Sequence, residues 1–419
     1  MQSGLSPQEL RRRNRSLVLR HVLRHGAVSR TVLADETGLT GTAITRISRE
    51  LIDNGLLDES DKLDRGGIPG RRQIQLTLAS DGVYVLGLGI QVADRVLVLA
   101  DLRGDVLCET RLPSAITRDF SGYMDRLADK VDQLISKAGI RRDQIVGMGA
   151  AVPGVVDPSI GYVKSAAPLA WQDIPVGQLL SDAMNMPVVV ENLNNALSAA
   201  EFNFGLGQLC QNIMMFRVSY SVGASFFIEG NLARGHGFAG GLVAHMPVPG
   251  GEKTCHCGAK GCLNTVSSGL ALLAEYNKTS YAKLAKEDAA SNADLLFQML
   301  ENANSGDQRA AKILHDAGEQ FAQILNIFTL SLQPEKVLLA GQIGRDRNFV
   351  AGLTDGLMSE SRSESLHADR MDVSEMTVPR AAVYLALSRF VFSEHLDMQR
   401  LERNAEFAAK AVPVHVAIQ

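Results

Sequence analysis

The sequence predicts an α/β protein in which a small winged helix-turn-helix precedes a much larger α/β body. Three observations carry this. The first 80 residues run helix, glycine turn, polar-faced helix and then two short strand patterns. From Val83 onward, apolar runs of strand length alternate with amphipathic helical stretches. The charge is also divided: residues 1–80 carry 13 Lys and Arg against 9 Asp and Glu, whereas the whole chain has a net charge of −4. A basic segment on an acidic body suits contact with a polyanion at one end.

A chain of 419 residues is too long for one ordinary core, so two or three domains are expected. Hydrophobic content of 46% with 21% charge describes a soluble globular protein. The most apolar stretch, Val83–Leu102, is broken by Gln91, Asp94, Arg95 and Asp101, which disfavours a membrane span. Met1–Leu10 lacks the apolar core of a signal peptide, so a cytoplasmic protein is expected. Five cysteines, three of them within eight residues, point to metal binding before disulfides.

The first helix is expected over Ser6–Gly26, with Leu17, Val18, Val22 and Leu23 at helical spacing between arginines. A second runs Ser29–Thr37, with Ser29 as N-cap and Val32 and Leu33 as its buried face. Gly38 and Leu39 turn the chain into a third helix, about Thr40–Asn54, whose Ile44, Ile47 and Leu51 face inward. Its outer face offers Thr42, Thr45, Arg46 and Arg49 to double-stranded DNA, and arginine matches guanine in the major groove. Strand patterns at Leu56–Glu59 and Gln73–Leu78 flank a Gly- and Arg-rich loop, Ser60–Arg72. This is the expected wing, with Arg65, Arg71 and Arg72 placed for phosphate or the minor groove.

In the body, strands are expected at Val83–Gly89, Val96–Asp101, Ile145–Val152, Pro187–Val190, Ile213–Ser219, Ala224–Ile228 and Val337–Ala340. A long amphipathic helix is expected at Ala310–Leu332, and the tail Phe390–Phe407 also reads as helix. Cys255, Cys257 and Cys262 form C-x-C-x4-C, with Gly258 and Gly261 letting the backbone wrap an ion. Three thiolates suit tetrahedral Zn²⁺ and leave one ligand to find. His256, between two cysteines, is expected to point away from them, and His245 lies ten residues upstream. Cys108 and Cys210 are isolated and read as core residues.

The phrases "SRTVLADETGLTGTAITRISRELIDNGLL", "AVPGVVD" (Ala151–Asp157), "VVVENLNNALSAAE" (Val188–Glu201) and "CHCGAKGCL" (Cys255–Leu263) occur in this order. Together they resemble the ROK family (repressors, open reading frames and kinases) in its repressor branch. The resemblance implies an actin-like, ribonuclease-H-like fold of two α/β lobes around a cleft. The domains are then expected at 1–80 for the winged head, 83–195 for the first lobe and 196–419 for the second. The second lobe would carry the zinc loop and a C-terminal helix returning to the first. It also implies His245 as the fourth ligand of a structural zinc.

The same resemblance marks departures from kinase chemistry. The family's base, the Asp after Glu-Asn, is here Leu193, and an aliphatic side chain accepts no proton. The phosphate turn Asp-x-Gly-x-Thr has become Gly89-Ile90-Gln91-Val92-Ala93. The second phosphate loop reads Ser219-Tyr220-Ser221-Val222-Gly223-Ala224, and the Gly-Gly run reads Ala340-Gly341-Gln342. Loss of these elements together is expected to abolish phosphoryl transfer. Of the sugar-binding positions, the family's Glu-x-x-His is Leu242-Val243-Ala244-His245, and the Glu after the last cysteine is Asn264. Asn192, His245 and Asn264 remain as candidate contacts for a carbohydrate-like effector, with Leu242 opposing an ordinary hexose.

The expected function is a DNA-binding regulator, a repressor of carbohydrate-related genes rather than an enzyme. It would act as a homodimer or dimer of dimers on a paired operator. Two alternatives stand beside it: an ATP-dependent sugar kinase with a regulatory head, and a regulator whose body answers to a protein partner.

Overall fold

The computed structural model describes residues 6–60, 74–92, 94–112, 120–359, 370–399 and 401. In the head, α1 (Pro7–His25) opens on a capping box. Ser6 Oγ accepts from the Glu9 backbone N–H, and Glu9 reaches back to the Ser6 N–H. A two-residue strand, β1 (Val28–Ser29), has no counterpart in the sequence reading, because two residues show no periodicity. Ser29 caps α2 (Arg30–Thr37), and Gly38 in the left-handed region ends it. Thr40 caps α3 (Gly41–Asp53). Strands β2 (Leu57–Ser60) and β3 (Gln75–Leu78) pair antiparallel, and β1 adds to the far edge of β3.

Val18, Leu19, Val22, Leu33, Ile44, Ile47 and Leu51 form the head's core. Val32 was expected to be buried with Leu33, but it is 40% exposed. The eight-residue α2 can turn only one narrow stripe inward, and Leu33 takes it. The expected wing, with Arg65, Arg71 and Arg72, lies outside the described residues.

The body contains two five-stranded sheets of matching order. In the first, β4 (Tyr84–Ile90), β5 (Arg95–Ala100) and β6 (Val106–Arg111) run antiparallel. After α4 (Phe120–Ala138), β7 (Ile145–Val152) pairs parallel to β4. A small sheet of β8 (Val155–Asp157), β9 (Tyr162–Ala166) and β10 (Trp171–Ile174) follows. Then α5 (Val176–Met184) leads to β11 (Val188–Asn192), parallel to β7. Next, α6 (Leu193–Phe204) crosses to the second sheet. There β12 (Ile213–Val218), β13 (Val222–Ile228) and β14 (Asn231–Leu232) are antiparallel.

The helices α7 (Asn264–Ser267), α8 (Gly269–Tyr276), α9 (Tyr281–Leu284), α10 (Ala289–Asn304) and α11 (Gln308–Leu332) follow. Strand β15 (Lys336–Ala340) then pairs parallel to β12. After α12 (Gly341–Gly344) and α13 (Arg347–Ser359), β16 (Met371–Val373) pairs parallel to β15. Each sheet therefore places its first strand centrally, a hairpin pair on one side and two parallel strands on the other. This is the duplicated arrangement of an actin-like body.

Helix α14 (Val378–Phe390) lies on β4 and β7 and against α6. Its backbone sits so close that a Cβ at Gly149 would fall 2.0 Å from the Ala382 carbonyl oxygen. The tail was expected to be helical over Phe390–Phe407; α14 ends at Phe390, the chain turns through Val391–His395, and Met398, Gln399 and Leu401 are helical again. Val391, Phe392, Leu396, Met398 and Leu401 are buried along this stretch. Residues 402–419 lie outside the described residues. Cys108 and Cys210 are half-buried at the edges of the core rather than within it. Burial pushes both thiols up.

Candidate functional site

Three places collect chemistry-bearing side chains. The first is the outer face of α3. Ile44, Ile47 and Leu51 hold one side of this helix in the core, which turns Thr42, Thr45, Arg46 and Arg49 to solvent. The Thr45 hydroxyl donates to the Gly41 carbonyl at 2.8 Å. Arg49 lies 4.0 Å from Asp53 one turn on, with both side chains mostly exposed, and such a pair restrains little. No ion pair holds Arg46 among the described residues.

The second place is the loop after β14. His245 ends a short 3-10 turn, and Gly258 and Gly261, at φ +90° and +71°, reverse the chain between the cysteines. The ligand atoms of His245, Cys255, Cys257 and Cys262 all lie within 4.8 Å of one another. Cys257 Sγ is 3.6 Å from Cys262 Sγ, and His245 Nδ1 is 3.6 Å from Cys255 Sγ. This Cys3His cluster can hold a metal ion. Without one, burial drives the Cys262 thiol up to about 12, so the group stays protonated until a cation displaces the proton.

His256 does not point away from the cysteines as expected. Its Nδ1 is 3.7 Å from Cys255 Sγ and 2.7 Å from the Tyr281 hydroxyl. The stacking of the Tyr281 and His256 rings holds it there. Tyr281, absent from the sequence reading, also accepts from Asn264 Nδ2 at 2.9 Å and so ties the metal loop to the cleft. Nothing in its local sequence marks it, because the contact spans 17 residues and depends on the fold.

The third place is the cleft between the sheets, with a volume of about 320 Å³, in the range of small-molecule sites. It brings Asn192, His245 and Asn264 together, along with Leu193 and Leu242. Asn192 is heavily committed. Its carboxamide oxygen caps α6 by accepting from the Asn194 and Asn195 N–H groups, and its Nδ2 donates to the Gly154 carbonyl at 2.7 Å. Asn264 is buried, and its oxygen accepts from the Val222 N–H. The neighbouring Glu191 is 2% exposed and is held by Arg234 at 2.7 Å. Leu193, at the family's base position, is the first residue of α6 and is also buried. Leu242 presents an apolar side chain, 52% exposed, at the cleft. Gln91 and Arg217 meet across the cleft at 2.6 Å, and Val92 lines it beside Gln91. Ala93 lies outside the described residues.

Residues 85–374 match the ROK family. The chain belongs to that family. Similar to this ROK chain is the "DNA-binding transcriptional dual regulator NagC" of Escherichia coli K12. It is 26% identical over 332 residues, which cover 79% of this chain and 80% of that protein. Among solved structures, a ROK family transcriptional regulator described as a homologue of the E. coli MLC protein superposes with a TM-score of 0.73. That match has 22% identity and covers 95% of this chain and all of that one. A ROK family glucokinase from Streptomyces griseus, in complex with glucose and AMPPNP, superposes with a TM-score of 0.61. It has 20% identity and covers 72% and 98% of the two chains. Regulators and sugar kinases thus share the fold of this body. No helix among the described residues is long and apolar enough to cross a membrane.

Proposed function

We propose that this ROK protein is a cytoplasmic transcriptional regulator, a repressor of carbohydrate-related genes. It binds a DNA operator as a homodimer or dimer of dimers and takes a carbohydrate-like small molecule in its cleft. The single observation that carries the reading is the outer face of α3. Four side chains that can address base edges stand on a helix whose opposite face is locked into the head's core, preceded by a glycine-turned partner helix. Thr42, Thr45, Arg46 and Arg49 are the proposed major-groove contacts, with Arg65, Arg71 and Arg72 of the wing reaching phosphate or the minor groove.

The body does not act as a kinase in this reading. Leu193 offers no base, the first nucleotide loop lacks its acid, glycine and hydroxyl, and the second and third keep only one glycine each, Gly223 and Gly341. The metal is structural Zn²⁺ on His245, Cys255, Cys257 and Cys262. Zn–S of ~2.3 Å and Zn–N of ~2.0 Å in a tetrahedron place two sulfurs roughly 3.8 Å apart and a sulfur and nitrogen roughly 3.5 Å apart. The 3.6 Å separations fit both. Asn192, His245 and Asn264 are the proposed polar wall of the effector cleft.

A gel shift with the wild type and Arg46→Ala on the promoter-proximal DNA of its own gene tests the reading. Salt-sensitive, site-selective binding is expected, weakened about 10-fold or more in the variant. Equal affinity for unrelated DNA would overturn it.

A further inference from the structure

Arg217 stands on β12, in the floor of the second lobe, with only 8% of its surface exposed. It lines the interlobe cleft. One hydrogen bond holds its guanidinium, Nη2 donating to the Gln91 side-chain oxygen at 2.6 Å from the opposite lobe. Among the described residues no carboxylate pairs with it. Burial, and the like charge of Arg345 beside it, push its pKa down to about 10, which still leaves it cationic at neutral pH. Asp94 also lines the cleft, but the charge it acts on is Arg95.

A buried guanidinium without a counter-charge is costly, and its fork of N–H donors matches the oxygens of a phosphate or carboxylate. The surroundings suit such a guest. Ser219, Ser221 and Gln342 line the same cleft, and the Asn194 side-chain oxygen is buried there without a partner, ready to accept from a hydroxyl.

We propose that the cleft takes a small molecule bearing an oxyanion, a phosphate monoester or a carboxylate, with Arg217 as its counter-charge. This rests on the cleft being an effector site and names the class of effector. It also reverses the emphasis of the sequence, where the lost sugar carboxylates and phosphate glycines read only as subtraction. An oxyanion on Arg217 competes with Gln91, so filling the cleft loosens one contact between the lobes.

Full-length protein is melted with inorganic phosphate, glucose, glucose 6-phosphate and glucuronate, with chloride matching the ionic strength. The expected result is saturable stabilisation by one or more of the anionic probes and none by chloride. Affinity should fall more than tenfold in Arg217→Gln, while the ligand-free variant melts at or above the wild type because an uncompensated charge is gone. Glucose 6-phosphate against glucuronate separates phosphate from carboxylate preference. If Arg217→Gln does not fold, Gln91→Ala frees the guanidinium and should tighten phosphate binding several-fold. Stabilisation by glucose alone, equal in wild type and Arg217→Gln, overturns the anion proposal and leaves the effector reading standing. No stabilisation by any probe overturns both.

Discussion

The Cys3His loop shows what single residues decide. Cys255 and Cys262 are buried while Cys257 and His245 stay exposed, so the ion would sit at the edge of the fold and close the loop from outside. Burial holds the Cys262 thiol up, and a metal that binds only the folded loop adds its binding energy to folding. Purified protein is expected to carry about one zinc per chain by elemental analysis, as a closed four-ligand site requires. Chelation, or Cys262→Ser, should release it and lower the melting temperature. Protection of α7 and α8 from hydrogen exchange should fall with it, because Leu263 and the first turn of α7 follow the last ligand directly. Unchanged melting after complete loss of zinc would deny the ion its structural role. At this scale the sequence was explicit about the three cysteines and silent about Tyr281 and Arg217. A C-x-C-x4-C spacing is local, whereas Arg217 is one more residue of an apolar strand until the other lobe is brought over it.

At the scale of elements, α14 is placed by what β4 and β7 lack. Gly87 and Gly149 face it without side chains, and a Cβ at either would strike the helix, at 2.6 Å from Val383 Cγ2 or 2.0 Å from the Ala382 oxygen. Close approach of helix to sheet then buries Ala381, Ala382, Ala386 and Leu387 completely. Gly149→Ala is expected to destabilise by about 3 kcal/mol, at the upper end for overpacking, because the obstacle is backbone and cannot rotate aside. Denaturant unfolding measures this, and a change under about 0.5 kcal/mol would show that the helix can shift. The strands and long helix were legible within a residue or two, since apolar runs and a 3.6-residue period are written locally. The expected tail helix starts at Phe390, the last residue of α14, and after a turn Met398, Gln399 and Leu401 are helical again, whereas α14 itself, from Val378, went unread. The first turn of α14, capped by Thr377 with Pro379 at the start, was hidden by buried apolar residues that continue past the helix end.

Across the whole molecule, the head is not a separate bead. Its core is continuous with that of the body, from Val18 and Val22 through Leu78 to Val383 and Phe392. Polar contacts secure the junction. Ser16 Oγ and Arg20 Nε both donate to the Phe392 carbonyl at 2.7 Å, and Arg103 donates to the Leu78 carbonyl. The Phe392 side chain, 2% exposed, packs near Phe204 of α6. Helix α6 begins at the cleft and ends at this junction. Phe392→Ala is expected to cost about 3–5 kcal/mol. Hydrogen exchange should rise in α1 as well as α14; faster exchange in α14 alone would mean the head folds independently.

The sequence by itself determined the order of the parts, the Ser29 cap of the head's second helix, the solvent-facing side of α3 and the clustering of the three cysteines. Each of these depends on residues within a few turns of one another. The tertiary structure alone decided that the head shares its core with the body and that Tyr281 braces both His256 and Asn264. It alone also placed the Arg217 charge opposite Gln91, in a cleft the sequence described only by its losses. Those contacts join residues from 17 to more than 300 positions apart, or depend on a helix fitting where side chains are missing, and no local pattern records them.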